Sequence, residues 1–331
     1  MVSSNKFNFI KMEREPSAQN LLRAREIIRP FTHNTPVLTC RAINALLGAS
    51  LFFKCENFQK SGAFKIRGAS HAVSTLNQAE AQWGVCTHSS GNHAQALSLA
   101  ASLQGIKAYV VMPDNSSRIK IAAVEAYGGS ITFCYPTLQD RESTLKLVQE
   151  KTGAVEIHSY NDYRIIAGQA SACAELTETV PGLNYVIAPV GGGGLLSGTI
   201  LAAKYFSPNT KVIGAEPLNA NDTWQSFTQK KFVPSVKPNT IADGLRTSLG
   251  SLTYPIILNG VHDVLTASEE SIIRAMRLIW ERMKIIVEPS GALPLAVLLE
   301  NPGRFAEKTI GLILSGGNID LDNLPWVKKS G

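Results

Sequence analysis

Short apolar, β-branched stretches recur along this chain and alternate with segments of helical period. Residues 51–55, 84–87, 108–112 and 130–133, and later 185–190, 211–215 and 309–314, read as strands. Amphipathic stretches such as 268–283 read as helices between some of them. A strand that is apolar throughout is buried on both faces, and a helical crossover is what lets its neighbour run parallel. The alternation therefore predicts an α/β fold of open, largely parallel sheets flanked by helices. Ligands of such sheets gather at the carboxyl ends of strands, where loops lead into helix N-termini.

At 331 residues the chain accommodates about two domains. Its composition, 44% hydrophobic and 18% charged, is that of a globular protein. No apolar run approaches the roughly 18 residues needed to cross a bilayer, so no membrane partner is expected. Residues 1–16 are polar and mixed in charge, unlike a secretory signal or a transit peptide, which makes the cytoplasm the expected compartment. Cys40, Cys55, Cys86, Cys134 and Cys173 are scattered, which suits buried free thiols better than a disulfide framework or a zinc cluster. The net charge of +6 is spread without a basic run or interleaved aromatics. That argues against a nucleic-acid partner and for mild attraction of small anions. The stretch 230–239, with Pro234 and Pro238, reads as a surface connection.

Chemistry-bearing residues collect in a few loops. In Ser61-Gly62-Ala63-Phe64-Lys65 one amine stands behind a small flexible turn and beside an aromatic ring. A lysine that forms a Schiff base must be sheltered enough to lose its proton, although a lone lysine is more often a solvated surface charge. The strand at 84–87 runs into His88-Ser89-Ser90-Gly91-Asn92-His93 and then a helix at 94–104. Such a turn suits a carboxylate, with Ser89, Asn92 and His93 adding donors, and also suits an ordinary helix cap. After the strand at 185–190, Gly191, Gly192, Gly193 and Gly194 leave successive N–H groups free to wrap an oxyanion, a phosphate being the natural guest. The P-loop lysine and the dinucleotide spacing are missing, and a structural turn is the alternative. Ser315-Gly316-Gly317-Asn318 closes the strand at 309–314, where a serine can bond a ring nitrogen or simply turn the chain. Finally, Glu216, the Ala220 carbonyl and Asp222 can converge on Mg²⁺ or Ca²⁺, or form a solvated acidic loop.

A Schiff-base lysine, a carboxylate turn, a phosphate cradle and a neutral ring-nitrogen partner together describe a pyridoxal 5′-phosphate site for an amino acid. In this order the motifs resemble the serine racemase and serine/threonine dehydratase family of fold type II pyridoxal-phosphate enzymes, tryptophan synthase β-like in fold. The resemblance runs from about residue 29 to 320 and includes Thr35-Pro36-Val37-Leu38 and Val287-Glu288-Pro289-Ser290-Gly291. It implies a large domain from 1–83 and 162–331, a small mobile domain at 84–161, and the cofactor between them. It further implies that Lys65 holds the cofactor and Phe64 packs beside it. Asn92 would bond its phenolic oxygen, Gly191 to Gly194 with Leu195 its phosphate, and Ser315 its ring nitrogen. A neutral hydroxyl there makes the ring a shallower electron sink than an aspartate does, which suits loss of a β-substituent closely coupled to Cα deprotonation.

Ser90 separates subfamilies, since threonine deaminases usually carry alanine in that position while serine racemases and threo-3-hydroxyaspartate dehydratases carry serine. By resemblance Ser90 is a second base across the ring from Lys65, the bland alternative being carboxylate binding alone. Arg141 and Asp243 match substrate-side positions. Glu216, Ala220 and Asp222 match the cation site of serine racemases, for Mg²⁺, Ca²⁺ or Mn²⁺, and Lys120, Tyr127 and Lys284 fall near the places where animal racemases bind ATP. Ala170-Ser171 departs from the usual Gly-Thr, an expected change in helix packing. No regulatory domain is expected after Asp320, which points away from the biosynthetic threonine deaminases. The expectation is a homodimeric serine racemase that is also an L-serine/L-threonine dehydratase, giving D-serine and 2-oxo acid plus ammonia. The alternatives are a dedicated threonine dehydratase, a threo-3-hydroxyaspartate ammonia-lyase, or a non-catalytic phosphate- or nucleotide-binding α/β protein.

Overall fold

The structure is a computed structural model that describes residues 14–327; the outermost residues of the expected large domain, 1–13 and 328–331, lie outside it. In chain order the strands are β1 (Val37–Leu38), β2 (Ser50–Cys55), β3 (Val85–His88), β4 (Ala108–Pro113) and β5 (Gly129–Cys134). They continue as β6 (Val155–Glu156), β7 (Tyr185–Pro189), β8 (Lys211–Pro217), β9 (Asp263–Ala267) and β10 (Thr309–Leu314). One sheet has the order β1-β2-β10-β7-β8-β9 and the other β5-β4-β3-β6. Every pairing is parallel except β1 with β2, so the α/β fold with open, largely parallel sheets is as expected. β10, late in sequence, lies between β2 and β7, in register from Thr309 opposite Ser50 to Leu314 opposite Cys55.

Alternation along β10 explains why it is apolar throughout. Ile310, Leu312 and Leu314 pack with Leu51, Phe53 and the helices Glu269–Leu278 and Pro289–Glu300. Ile313 packs on the opposite face with Val186, Ala188 and the helices Tyr163–Thr179 and Gly194–Phe206. Truncating Leu312 in such a doubly covered strand costs about 2–5 kcal/mol.

The helix Lys65–Ser74 joins the two layers. Its Ile66, Ala69, Ala72 and Val73 pack against Val85 of the smaller sheet and Leu97 of the helix Asn92–Ser102. Its Gly68 meets Gly168 of Tyr163–Thr179 backbone to backbone, because a Cβ on Gly168 would stand 2.6 Å from the Gly68 Cα. Ser171, one of the departures from the usual pattern, donates to the Gly168 carbonyl at 2.7 Å and receives Arg67 Nη1 at 3.0 Å, so it is absorbed into that contact.

Candidate active site

The lysine loop is zipped onto the end of β10. A short 3-10 turn, Lys60–Gly62, puts Ser61 at φ 59° and Gly62 at φ 71°, and a side chain on Gly62 would strike Asn318 Oδ1 at 2.3 Å. Ala63 then bridges Gly316, the Phe64 N–H donates to the Ser315 carbonyl at 3.0 Å, and the Gly317 N–H donates to the Gly62 carbonyl at 2.9 Å. Lys65 opens the next helix, half-buried, with Nζ donating to the Ser159 carbonyl at 2.8 Å and 5.2 Å from the Phe64 ring centre. Burial brings its pKa down to about 8 against the upward pull of Glu288. The amine is therefore close to its nucleophilic form near neutral pH.

Across the layers, β3 ends at His88, and the helix Asn92–Ser102 begins with Gly91 at the N-cap and no side-chain cap. Its first N–H groups are open to an anion, Ser89 Oγ accepting only the Gly91 N–H at 3.3 Å. Ser90 stands half-buried in the same turn. His93 is buried, and Nε2 must carry its proton because it meets the Ile157 carbonyl at 3.0 Å, which leaves Nδ1 an unpartnered acceptor. Burial, with Lys65 nearby, lowers the His93 pKa to about 3. His158 is likewise lowered to about 4 by burial and the neighbouring His88, and its Nδ1 accepts the N–H groups of Tyr160 and Asn161. The surroundings of Lys65 are thus neutral imidazoles.

The glycine loop follows β7. Gly193, at φ 91°, caps the helix Gly194–Phe206, which also lacks a side-chain cap and so offers free N–H groups to a phosphate. A Cβ on Gly191 would lie 2.9 Å from the Leu245 Cα, and one on Gly192 would lie 2.2 Å from the Tyr160 ring. Thr253 Oγ1 donates to the Gly192 carbonyl at 2.8 Å. The loop is clasped between Tyr160 and the 245–253 segment, with Leu195 and Ser197 buried behind it. Ser315 is buried at the end of β10. These features fit pyridoxal phosphate: a sheltered amine, an uncapped helix start bare of side chains, and a neutral hydroxyl.

Among the substrate-side residues, Arg141 rises from the helix Leu138–Thr152 with its Nε buried and unpartnered, near enough to His88 to help burial lower that imidazole's pKa. Asp243 is exposed and ion-paired with Lys120, one of the expected ATP contacts, across the two layers. Tyr127 follows the helix Arg118–Ala126, which carries Lys120, and Lys284 sits at φ 62° beyond Met283. At the end of β8 the Glu216 carboxylate accepts the N–H groups of Thr223 at 2.9 Å and Trp224 at 2.7 Å, in the first turn of Asp222–Gln229. Both Asp222 oxygens are buried without a well-aligned partner, beside a cavity of about 200 Å³ lined by Ala220, Gln225 and Ser235. Burial and Asp222 raise Glu216 to about 8, while burial raises Asp222 to about 6 despite the Ser235 side chain. Buried carboxyls so stressed suit a hard cation.

Sequence reasoning named Glu288 and Asn318 only within motifs, without a role, and missed Tyr160 as a member of this site. Glu288 is buried, accepts Asn92 Nδ2 at 2.9 and 3.2 Å, and is raised to about 7 by burial and Asp243. Its signal was present as the acid before Pro289, which looks like a helix N-cap; yet its side chain caps nothing.

A family model described as pyridoxal-phosphate dependent enzyme matches residues 28–316. A β-hydroxyaspartate dehydratase of Paracoccus denitrificans (strain Pd 1222) is 49% identical, over 94% of this chain and 99% of that protein. The crystal structure of serine racemase from Dictyostelium discoideum is 47% identical with TM-score 0.88, over 92% of this chain and 99% of that one. The crystal structure of a T.th. threonine deaminase is 43% identical with TM-score 0.88, also over 92% and 99%.

Proposed function

The chain belongs to the pyridoxal-phosphate-dependent enzyme family, and on that footing we propose that it racemises serine and also dehydrates L-serine and L-threonine. Its assignment as an enzyme of the racemase and ammonia-lyase group rests on the family. The observation that carries the finer reading is the pairing of a sheltered Lys65 with a Ser-Ser-Gly turn at an uncapped helix start. Lys65, Phe64, Asn92, the loop Gly191 to Leu195 and Ser315 would hold the cofactor. When bound, that group withdraws electrons and acidifies the substrate Cα–H.

The chain's own residues then divide the work. Free N–H groups at the 89–93 turn orient the substrate carboxylate, with Arg141 and Asp243 on the substrate side. Lys65 Nζ takes the Cα proton, and Ser90 Oγ returns one from the other side in racemisation. Departure of the β-hydroxyl with a proton, as water, instead gives elimination, and the released product takes up water to give a 2-oxo acid and ammonia. Glu216, the Ala220 carbonyl and Asp222 bind Mg²⁺ in this proposal, supported by the stressed carboxyls. The domain division at 84–161, a homodimer, cytoplasmic residence and ATP activation are carried over from the sequence resemblance alone.

A second reading, ammonia-lyase action on threo-3-hydroxyaspartate, is favoured by the unpartnered Arg141 Nε, which suits a second carboxylate, and by the 49% identity to a β-hydroxyaspartate dehydratase. Incubation with L-serine, scoring D-serine and pyruvate together, and with threo-3-hydroxyaspartate, scoring 2-oxo acid, separates the two. D-serine alongside pyruvate is expected; pyruvate without D-serine overturns the racemase reading.

A further inference from the structure

Ser61, Asn318, Asn92 and Glu288 form one hydrogen-bonded chain beside Lys65, and its direction is dictated by its first member. The Ser61 carbonyl can only accept, so the Asn318 group 2.7 Å from it is the NH₂. The same nitrogen lies 2.9 Å from the Asn92 side chain, which must therefore present Oδ1 to it. That leaves the Asn92 NH₂ facing Glu288, whose two oxygens stand 2.9 and 3.2 Å away. Oxygens of one carboxylate subtend far less than the about 120° between the two N–H bonds, so they share one hydrogen. The second Asn92 N–H is left for another acceptor.

We infer that Asn318 and Glu288 are positioning residues that fix the Asn92 amide so that it offers an N–H, never its carbonyl, to an acceptor oxygen bound beside Lys65. The inference rests on the reading that Asn92 meets the cofactor's phenolic oxygen. A flipped Asn92 would set its Oδ1 against the Glu288 carboxylate and its NH₂ against the Asn318 NH₂, two repulsions at once. Glu288 serves this end at the expense of its own helix: it is the N-cap of Pro289–Glu300 but makes no side-chain cap, and the Asn318 backbone N–H meets its carboxylate instead. The raised pKa of Glu288, about 7 from burial and Asp243, leaves the direction unaltered, because a protonated carboxyl still has an oxygen that accepts.

The test uses full-length protein reconstituted with pyridoxal phosphate, read by its violet absorption band, by that band's pH titration and by turnover of L-serine. Asn318→Asp removes both donors and makes Asn92 turn its NH₂ toward the new carboxylate. The band should then move or titrate at a different pH, with turnover down about tenfold or more, as for loss of an oriented donor. Asn318→Ala, which only frees the amide, should fall between wild type and Asn318→Asp, and Glu288→Gln, which keeps an acceptor oxygen, should shift the band less than Glu288→Leu. If Asn318→Asp does not fold, Asn318→Ala and Glu288→Leu carry the same reading. A wild-type band and titration in Asn318→Asp, Asn318→Ala and Glu288→Leu, with only the melting temperature lowered, overturns the inference while the cofactor reading stands. Absence of any band in the wild type overturns both.

Discussion

Lys65 and Arg67 sit two residues apart on one helix and meet opposite fates. Arg67 is wholly buried, with Nε and Nη2 on Glu56 at 2.6 and 2.9 Å and Nη1 and Nη2 on Glu175 at 2.7 Å. Lys54, also buried, completes the set with Glu175 at 2.6 Å and the Thr35 carbonyl at 2.7 Å. Burial alone would ease the Arg67 proton away, but Glu56 and Glu175 hold the guanidinium above its ordinary range. Lys65 has one carbonyl, neutral imidazoles and the more distant Glu288, and its pKa falls. The same helix thus makes a scaffold where burial is fully compensated and a reactive group where it is not.

The sharpest way to break that contrast is Arg67→Met. It leaves Glu175 to Lys54 and Glu56 to the Thr35 hydroxyl, and should cost about 3–5 kcal/mol, seen as a lowered urea midpoint of the cofactor-free protein. An unchanged midpoint would remove Arg67 from the scaffold. Lys65→Met should do the reverse at pH 7, leaving stability equal or raised by about 1–2 kcal/mol after solvent screening, and abolishing turnover and the violet band. Its folded pKa of about 8 lies below the ordinary 10.5, so between those values the unfolded chain binds more protons. Wild-type stability therefore rises with pH through that window, and the advantage of Lys65→Met should shrink there.

The smallest effect tests whether the carboxyl pair at β8 belongs with Lys65 or with Arg67. Glu216 and Asp222 are raised to about 8 and about 6 from ordinary values of 4.5 and 3.8, so the folded state keeps the extra protons. Cation-free protein should lose stability as pH rises from about 4 to 8, and Mg²⁺ should flatten that slope and raise Tm by about 2–4 °C at pH 8. Asp222→Asn should weaken the slope and abolish the Mg²⁺ response. A response retained in Asp222→Asn removes Asp222 from the cation site.

Strands buried on both faces were legible because burial writes an unbroken apolar run: β2, β4, β7 and β10 lie where residues 51–55, 108–112, 185–190 and 309–314 predicted them. β1 and β6 are two residues long, and β9 mixes Asp263 and Thr266 into a half-buried pattern, so no such run forms in any of the three. The helix read at 268–283 ends as an α-helix at Leu278 and continues through a π turn to Met283, where the apolar spacing of Ile279 and Met283 persists although the winding changes. In the site, glycine and hydroxyl residues at strand ends marked Lys65, the 88–93 turn and the glycine loop. Partners met only through the fold left no such mark: Glu288 reaches Asn92 across 196 positions and Arg67 reaches Glu175 across 108.

The place of β10 between β2 and β7 also sets an order of events. On a ribosome β2 and the lysine loop emerge early, yet their sheet partner and the carbonyl that receives the Phe64 N–H come some 250 residues later, at about 12–50 s of synthesis at 5–20 residues per second. Until then the edge of β2 that faces β10 is unpaired, a template for wrong pairings. The reactive amine is translated early but assembled late, so a nascent chain carries Lys65 for most of its synthesis without a site around it.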